Sequence, residues 1–359
     1  MLKGTFFLLA GEIVMLNCTI LRENKYPMDT SSRAGIALVG IGKYATEEII
    51  PAFAHTQHCR LAGLVTGSSE KAAELHSRYR LDMKNIYVYD TFDDIAKNPD
   101  IDIVYIVLPN AMHHEFVIRA ARAGKHVICE KPMAITTKEC DEMIHACELN
   151  KVQLSIGYRL QFEPFNQRMM ELGRSNESGN IKRIVAENGL GHVEGWRLDH
   201  QLAGGGPLMD VGIYCIQAVR YTTGLEPLSV TAQEHPKTDP SMFDEVEEGL
   251  SWSMEMPNGV VAECKCSYSQ SMDCLRAETP DTWFELRPAY AYRGLAGSTS
   301  SGKMNLPAIN QQAAQMDAFA LAIRENRKTS VPGEMGRQDV KIIQAIYESA
   351  RTGKTIKIA

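Results

Sequence analysis

The stretch Gly35-Ile36-Ala37-Leu38-Val39-Gly40-Ile41-Gly42-Lys43-Tyr44-Ala45 decides the fold. Its first five residues contain no polar side chain, which is typical of a strand buried on both faces of a parallel sheet. The chain then turns into a helical segment that runs to Phe53. Gly40 permits a tight turn, Gly42 lets a pyrophosphate approach the backbone, and the helix N-terminus favours an anion. The pattern predicts that a dinucleotide is bound by Gly40, Ile41, Gly42, Lys43, Tyr44 and Ala45.

The segments that follow have the spacing of βαβ units. A strand is predicted at Leu61–Val65, a helix at Glu70–Tyr79, a third apolar run at Ile103–Leu108, a helix at Thr137–Asn150 and a strand at Gln153–Gly157. Alone, a glycine-rich turn between a strand and a helix can be purely structural, but in this context it indicates dinucleotide binding. The sequence therefore predicts an α/β dinucleotide-binding domain over residues 33–157.

The residues after the second strand indicate which dinucleotide is bound. An NAD site usually has Asp or Glu here for the ribose hydroxyls, whereas this chain reads Thr66-Gly67-Ser68-Ser69-Glu70-Lys71. Hydroxyl groups and Lys71 can hold the 2′-phosphate of NADP, which a carboxylate at position 66 would repel. We therefore predict NADP, bound through Thr66, Gly67, Ser68 and Lys71. The alternative is that Lys71 is a solvated helix residue, Glu70 faces the ribose and NAD is the cofactor.

Two further motifs stand at strand ends on the side of the sheet where ligands bind. Leu108-Pro109-Asn110 follows one apolar run, and Glu130-Lys131-Pro132 follows the run Val127–Cys129. The second motif delivers an amine at the end of a buried strand; the alternative is a structural salt bridge of Lys131 with a neighbouring carboxylate. We predict that the nicotinamide half of the cofactor is contacted by Leu108, Pro109, Asn110, His113, Glu130, Lys131 and Arg159.

The chain changes character after residue 157. Alternating segments such as Arg183–Asn188 and a hairpin candidate, Ser251–Met256 with Val260–Ser267, are typical of an antiparallel sheet. Residues 158–359 are thus predicted to form an α+β substrate-binding domain with a large, mostly antiparallel open sheet, whose last helices pack back on the first domain. Gly294–Gly302 is predicted to be a flexible loop.

A glycine-rich segment in the second half begins a predicted helix. Gly204-Gly205-Gly206-Pro207 is followed by an apolar segment that contains Asp210 and Tyr214. These two residues are four apart, so a helix places them on one face, where an acid and a phenol can converge on a sugar hydroxyl. The alternative is an ordinary amphipathic helix with a capping Asp.

Composition excludes several classes of partner. A net charge of −6 without blocks of like charge gives no basic surface for nucleic acid or an anionic membrane. The nine cysteines lack a disulfide-like spacing, which suits a reducing compartment, so a cytoplasmic location is expected. Cys264 and Cys266 share one face of a predicted strand without a second ligand pair, so we expect core packing and no metal.

Residues 1–32 precede the first regular element. The run from residue 4 to residue 21 is largely apolar, but Glu12 and Asn17 interrupt it and no small-residue cleavage site stands out. We expect an extension without ordered structure that results from a start codon placed too early. Export or membrane anchoring is the alternative.

Four motifs in this order resemble the family of glucose-fructose oxidoreductase and inositol dehydrogenase: the glycine turn, Leu108-Pro109-Asn110, Glu130-Lys131-Pro132 and the segment from Gly204 to Tyr214. The similarity covers most of the chain and is strongest to the glucose-fructose branch, because many relatives have His where this chain has Tyr214. It implies a Rossmann domain followed by a domain whose open sheet has one face free for forming a homodimer or homotetramer. It also implies a cis peptide bond before Pro132.

The resemblance further implies a sugar or polyol substrate over the nicotinamide. Catalytic roles fall to Lys131, Asp210 and Tyr214, and the substrate is expected to contact Trp196, Arg197, Asp210 and Tyr214. Tyr214 would accept the hydroxyl proton, and the ammonium of Lys131 would favour the ionised phenol. The expected reaction is hydride transfer between an aldose and NADP. The alternatives are an inositol or polyol dehydrogenase, or a dinucleotide-binding sensor without catalysis.

Overall fold

The computed structural model describes residues 33–175 and 179–358. In this part of the chain the strands form two sheets, a parallel one in the first half and a mostly antiparallel one in the second. The α/β class predicted from the sequence is confirmed. The expected extension at residues 1–32 lies outside the described residues.

The first sheet is parallel throughout its six strands. In chain order they are β1 Ala34–Val39, β2 Cys59–Thr66, β3 Ile86–Val88, β4 Ile103–Ile106, β5 His126–Cys129 and β6 Leu154–Ile156. Their spatial order, β3-β2-β1-β4-β5-β6, is that of a doubly wound nucleotide-binding sheet. Strand β1 lies inside the sheet and all its residues are buried, which explains its continuous apolar run.

Strand β3 could not be found in the sequence. Its three residues pair with β2 at the edge of the sheet, and three residues are too few for a periodic signal. The apolar run from Ile103 is therefore the fourth strand of the chain, and it ends at Ile106 instead of Leu108. It pairs with β1 on one side and β5 on the other, so the motifs that follow these three strands lie side by side.

Helices connect these strands. The glycine turn leads into a π-helical turn, Ala45–Ile49, and then α1 Ile50–Ala52; the others are α2 Ser69–Tyr79, α3 His113–Arg122 and α4 Thr137–Leu149. Helices α2 and α4 begin and end within one residue of their predicted bounds. A capping box starts α4: Thr136 Oγ1 accepts from the N–H of Glu139, whose carboxylate accepts from the N–H of Thr136.

The second sheet has nine strands, in the order β14-β13-β12-β11-β7-β10-β9-β8-β15. They are β7 Arg183–Gly189, β8 Ser229–Glu234, β9 Gly249–Glu255, β10 Val261–Ser267, β11 Met272–Glu278, β12 Trp283–Leu286, β13 Gly297–Thr299, β14 Gly302–Lys303 and β15 Ile356–Lys357. The predicted hairpin is present as β9 and β10, with Glu255 opposite Val261. The segment Gly294–Gly302 was predicted as a loop, but Gly297–Thr299 within it forms β13 because the edge of β12 offers backbone partners.

Five α-helices lie in the described second half of the chain. They are α5 Pro164–Arg174, α6 His200–Ala203, α7 Ile213–Thr223, α8 Gln311–Arg324 and α9 Gly333–Thr352. Helix α7 packs on β7 and β10, and α9 packs on β8. Along β7 buried residues alternate with less buried ones, as expected for a sheet covered by helices on one face.

The last two helices join the second half to the first. In α8, the carboxylate of Asp317 accepts from the backbone N–H groups of Gln57 and His58, both at 2.8 Å. In α9, the fully buried carboxylate of Asp339 accepts from the Tyr158 hydroxyl at 2.5 Å and also pairs with Arg220. One apolar cluster contains side chains from both halves, so the two halves share a packed core below the crevice.

Three expectations from the sequence concern the packing of the cysteines, a metal site and a membrane anchor. Cys264 and Cys266 lie in the core on one face of β10, as expected. Eight cysteines in the described part of the chain are free thiols, and no group of three or more His, Cys, Asp or Glu residues there could hold a metal ion. Within residues 33–175 and 179–358, no helix is long and apolar enough to cross a membrane.

Candidate active site

The glycine turn after β1 forms an open cradle. Gly40 has a φ of +88°, and a Cβ there would lie 2.4 Å from the carbonyl oxygen of Val107. Only glycine satisfies both conditions. At Gly42, nothing in the described part of the chain lies within 4 Å of where a Cβ would be. Helical structure begins at Lys43, directly after the cradle, and the first N–H groups of a helix have no acceptor within it, so the cradle has the space and the polarity that a pyrophosphate needs.

The residues after β2 hold a cation beside this cradle. Lys71 Nζ donates to the carbonyl oxygen of Ile41 at 2.6 Å, so the amine lies on the glycine turn instead of only facing solvent. Ser68 begins α2, because its Oγ accepts from the N–H of Lys71 at 3.2 Å. Thr66 is buried at the end of β2, and Gly67 packs beside the ring of Tyr89.

The residues after β4 brace the crevice. Leu108 is buried, and Asn110 donates from Nδ2 to the carbonyl oxygen of Ala203 at 2.7 Å, which fixes α6 against the strand end. The contact of His113 with the cofactor stays a prediction. His113 is fully buried, and its ring nitrogens lie 2.9 Å from the carbonyl oxygens of Leu108 and Pro132. The ring therefore ties together the loops after β4 and β5.

Glu130 lies buried at the end of β5. Its carboxylate accepts from the hydroxyl of Tyr105 at 2.7 Å and from the backbone N–H of Lys131 at 3.2 Å. Burial raises the pKa of Glu130 above its ordinary value, although the Tyr105 hydrogen bond and the Lys131 charge oppose the rise. Gly157 at the end of β6 makes room for this carboxylate, because a Cβ there would lie 2.7 Å from Oε1.

Lys131 and Asp210 meet across the crevice between the two halves. Lys131 Nζ donates to the backbone carbonyl oxygen of Asp210 at 2.7 Å and to its carboxylate at 3.1 Å. The other carboxylate oxygen accepts from Nε of Arg197 at 2.7 Å. Burial alone would raise the pKa of Asp210, but Lys131 and Arg197 hold it well below its usual range. Asp210 is therefore ionised and orients both cations. The peptide bond before Pro132 is cis, as the resemblance implied.

The turn before Asp210 depends on glycine. Gly205 has a φ of +154°, and a Cβ there would lie 2.1 Å from the hydroxyl oxygen of Tyr347. The expected helix then begins with a π-helical turn, Leu208–Gly212, and continues as α7. The carbonyl oxygen of Asp210 in this turn is the one that accepts from Lys131.

Glu247 clamps this turn from a distant segment. Its buried carboxylate accepts from the N–H groups of Gly206 at 2.9 Å and Leu208 at 3.2 Å. It also accepts from the hydroxyl of Tyr347 at 2.8 Å. Pro207 offers no side-chain cap, so Glu247 satisfies the free N–H groups at the helix start.

Tyr214 lies one turn after Asp210 and faces two cations. Lys131 Nζ lies 4.9 Å from the centre of its ring, and the guanidinium carbon of Arg159 lies 5.2 Å from it. Arg159 was predicted to contact the cofactor, but it is 3% exposed and lies against Tyr214. Lys131, Asp210 and Tyr214, from the two halves of the chain, thus converge at the end of β5.

Trp196 and Arg197 stand beside this group. Both are half-buried in the short helical turn Gly195–Leu198, and the Arg197 guanidinium carbon lies 5.1 Å from the Trp196 ring. Because Arg197 also pairs with Asp210, an aromatic face and a fixed cation lie next to the Lys131 amine. This combination suits a small polyhydroxylated ligand.

Sequence reasoning missed three residues of the site. Tyr268 places its hydroxyl 3.5 Å from the Asp210 carboxylate, Glu247 clamps the glycine turn, and Tyr292 lies 4.4 Å from the Arg159 guanidinium. Tyr292 stands in the loop between β12 and β13, and none of the three belongs to a motif. Their residue type was the only signal, and it does not distinguish them from other tyrosines and acids of the chain.

Three family models match the chain in succession. Residues 34–158 match the oxidoreductase family with an NAD-binding Rossmann fold. Residues 166–286 match the GFO/IDH/MocA C-terminal domain, and residues 300–358 match the oxidoreductase family C-terminal alpha/beta domain. The first match covers the parallel sheet and the glycine cradle, and the other two cover most of the second sheet and of its helices.

Individual relatives agree with these matches. The crystal structure of aldose-aldose oxidoreductase from Caulobacter crescentus complexed with glycerol is 41% identical, with a TM-score of 0.88, and the alignment covers 91% of this chain and all of that one. D-xylose 1-dehydrogenase [NADP(+)] of Haloarcula marismortui is 27% identical over 92% of this chain and 94% of its own. The 1,5-anhydro-D-fructose reductase of Ensifer adhaerens is 26% identical over 89% and 97%. The chain therefore belongs to the GFO/IDH/MocA family of NAD(P)-dependent oxidoreductases.

Proposed function

We propose that this protein is an NADP-dependent oxidoreductase that transfers hydride between a sugar, at aldose C1 or a related hydroxyl, and the nicotinamide. The observation that carries the proposal is the convergence of Lys131, Asp210 and Tyr214 at a strand end beside the glycine cradle. The names of the three relatives, each a sugar-converting enzyme, support the same substrate class.

The residues present fit the dinucleotide. Gly42 leaves open space at the cradle, and the N–H groups at the helix start can hold the pyrophosphate. Tyr44 of the cradle lies near Glu130, the residue before Lys131, and the nicotinamide half would be held on this side. When bound, the nicotinamide accepts the hydride from the sugar or returns it.

The side chains of the chain supply binding and proton transfer. In the oxidation direction, Tyr214 accepts the proton of the reacting hydroxyl, and the amine of Lys131 lies 4.9 Å from the centre of its ring. Asp210 holds the Lys131 amine in place with two acceptors, its carbonyl and its carboxylate. Trp196 and Arg197 bind the rest of the sugar, the first by its ring face and the second by donating to hydroxyls.

The preference for NADP over NAD is supported by the amine at the cradle. Lys71 is held at the glycine turn by the Ile41 carbonyl, where its charge can pair with a 2′-phosphate. The buried Thr66, which ends β2, carries no charge that would repel one. The NADP-dependent D-xylose 1-dehydrogenase of Haloarcula marismortui agrees with this choice.

Two further expectations belong to the proposal. The eight free thiols of the described residues support a cytoplasmic location. The open face of the second sheet, where Val261 is 40% exposed, supports a homodimer or homotetramer, which size-exclusion chromatography with light scattering would detect.

The test is a substrate survey with the purified protein. Any retained nucleotide is identified by mass spectrometry, and the absorbance of the reduced coenzyme is followed with NADP or NAD and a panel of aldoses and inositols. We expect reduction of NADP by one or more aldoses. Turnover of inositols alone would mean that the substrate is a polyol instead of an aldose. Binding of NADP without turnover of any sugar would contradict the proposal and indicate a sensor.

A further inference from the structure

A loop of the second half reaches across to the glycine cradle. This crossing loop, residues 287–296, joins β12 to β13. Its Tyr292 ring stacks on the ring of Tyr44 in the cradle, with centroids 5.5 Å apart and ring planes at 27°. Its Arg293 donates through two nitrogens to the carboxylate of Glu48, at 2.9 Å and 3.2 Å. The loop thus contacts the first half at two places beside the proposed pyrophosphate site.

The crossing loop is anchored in its own half. A carboxylate oxygen of Asp273, in β11, accepts from the backbone N–H groups of Ala289 at 2.5 Å and Tyr290 at 2.8 Å. At the base of the loop, the N–H of Arg287 donates to the carbonyl oxygen of Ala296 at 2.8 Å. Ala289 and Tyr290 are buried, so the first arm of the loop has a fixed position.

The tip of the crossing loop, residues 292–294, is held much less firmly. Tyr292 is 39% exposed, and the side chain of Arg293 is 70% exposed. At Gly294, nothing in the described part of the chain lies within 4 Å of where a Cβ would be. Segments with few buried contacts open at the lowest free energy cost in a folded protein. The tip can therefore leave the cradle while the arm stays in place.

A dinucleotide would run alongside this tip. Its pyrophosphate would lie at the cradle and its nicotinamide near Lys131 and Tyr214. The Tyr292 ring has Tyr44 of the cradle on one side and the Arg159 guanidinium carbon at 4.4 Å from its centre. That carbon lies 5.2 Å from the Tyr214 ring centre. The tip therefore stands along the path from the cradle to the catalytic residues, where the nicotinamide ribose would pass.

The two halves of the chain are not free to separate as bodies. One apolar cluster contains side chains from both, and such close-packed interiors resist opening. The carboxylate of Asp317 in α8 also bonds to the backbone N–H groups of Gln57 and His58. Movement of the tip is therefore the smaller change that opens the crevice beside the cradle.

We infer that the tip of the crossing loop is a gate that sets how fast the dinucleotide enters and leaves, and that Tyr292 and Arg293 hold it closed on Tyr44 and Glu48. The inference rests on the proposed function in that a dinucleotide occupies the cradle. The four side chains bond to one another, so breaking their contacts favours opening whether the coenzyme is arriving or leaving. The rate constants kon and koff should then rise together, with little change in Kd.

The first test measures exchange of the coenzyme by the full-length protein. The protein is loaded with NADPH and mixed with excess NADP, and the loss of NADPH fluorescence gives koff; stopped-flow mixing with NADPH gives kon. NADH and NAD take their place if the protein prefers them. In Arg293→Gln both constants should rise about two- to fivefold, as expected for the loss of one partly exposed ion pair. Exchange at the parent rate in both Arg293→Gln and Tyr292→Leu would overturn the inference.

A double-mutant cycle tests the ion pair itself. Glu48→Gln also removes a negative charge near the proposed phosphate site, which alters coenzyme binding by itself. The cycle separates that effect from the contact, because only the contact is lost in both single variants. Glu48→Gln should therefore accelerate release less in the Arg293→Gln background than in the parent. Independent effects of the two substitutions would contradict the ion pair as a contact that holds the gate.

Tyr292 tests the second contact of the tip. Tyr292→Leu should raise kon and koff about two- to tenfold, because the stacked ring is lost. Tyr292→Phe keeps the ring and should exchange coenzyme at the parent rate. A rise of koff with an equal rise of Kd and an unchanged kon would mean that the ring binds the coenzyme directly, and would overturn the gate.

Arg337→Gln is the matched control. Arg337, in α9, donates to the carboxylate of Asp141, in α4, at 3.0 Å, so this pair also joins an exposed element of each half. Its loss should leave both rate constants unchanged. Acceleration equal to that in Arg293→Gln would mean that any contact between the halves limits exchange, and would overturn the special role of the tip.

Coenzyme exchange is measured without a sugar, so the inference and the proposed function can fail separately. Faster exchange in Arg293→Gln and Tyr292→Leu would support the gate even if no sugar were turned over. Parent-like exchange in both variants, together with turnover of an aldose, would overturn the gate and leave the proposed function supported.

Discussion

The amine of Lys131 lies 2.7 Å from the carbonyl oxygen and 3.1 Å from the carboxylate of Asp210, although 79 positions separate them in the chain. Lys131 follows β5 of the parallel sheet, which ends at Cys129, and Asp210 belongs to a π-helical turn of the second half. The pair joins the halves at the point where cofactor and substrate would meet.

Lys131→Met should abolish most of the activity. The substitution removes the cation beside the Tyr214 ring, and general acid-base help of this kind is worth about 10²- to 10⁴-fold in kcat. Steady-state kinetics with the preferred sugar measures the loss. Lys138→Met, at an exposed position in α4, is the control and should leave kcat unchanged. A variant of Lys131 with parent-like kcat would exclude its catalytic role.

Asp210→Asn should change how stability depends on pH in acid. The folded-state pKa of Asp210 is depressed, so its contribution is complete above the unfolded-state pKa of about 3.9 and is lost as pH falls below it. Over that range the free energy of unfolding of the parent should fall more steeply than that of Asp210→Asn, by up to about 1.4 kcal/mol per pH unit. Urea denaturation between pH 2 and pH 7 measures both. Parallel curves would show that the pKa of Asp210 is not depressed in the folded protein.

Lys71→Gln should weaken the binding of NADP without affecting NAD. A hydrogen bond to a charged group contributes about 1.5–3 kcal/mol, so the Kd for NADP should rise roughly 10- to 100-fold. Isothermal titration with each coenzyme measures the effect, and NAD serves as the control within the same protein. An equal loss for both coenzymes would mean that Lys71 supports the glycine turn through Ile41 and does not read the 2′-phosphate.

Gly205→Ala should disturb the turn before Asp210. Alanine would have to adopt a φ of +154°, and its Cβ would lie 2.1 Å from the Tyr347 hydroxyl oxygen. Backbone strain and overpacking together should lower the free energy of unfolding by about 2–5 kcal/mol. Gly259→Ala, where φ is +71° and nothing in the described part of the chain lies within 4 Å of a Cβ, carries the strain alone and should cost less. Denaturant unfolding of the two variants measures the difference. Equal costs would show that the Tyr347 contact yields easily.

Much of the fold could be predicted because its signals are local. The apolar run of β1, the glycines after it and the hairpin at Pro257-Asn258-Gly259 are each written in neighbouring residues. The three-residue strand β3 and the short strand β13 could not be predicted, since each exists only because a neighbouring edge offers backbone partners. The burial of the His113 ring could not be predicted either, because the ring is held by the carbonyl groups of Leu108 and Pro132, which follow two different strands.

The sequence by itself determined the fold class and the glycine turn, because strand periodicity and glycine placement act over a few residues, and the resemblance to a family indicated Lys131, Asp210 and Tyr214. Only the tertiary structure decided how those residues are supported. Glu247, Tyr268, Tyr292 and the charge of Arg159 reach the site through long-range packing, so their roles depend on distances between segments that no local pattern records. Lys131 and Asp210 could each be singled out in the sequence, but their contact exists only in the tertiary structure.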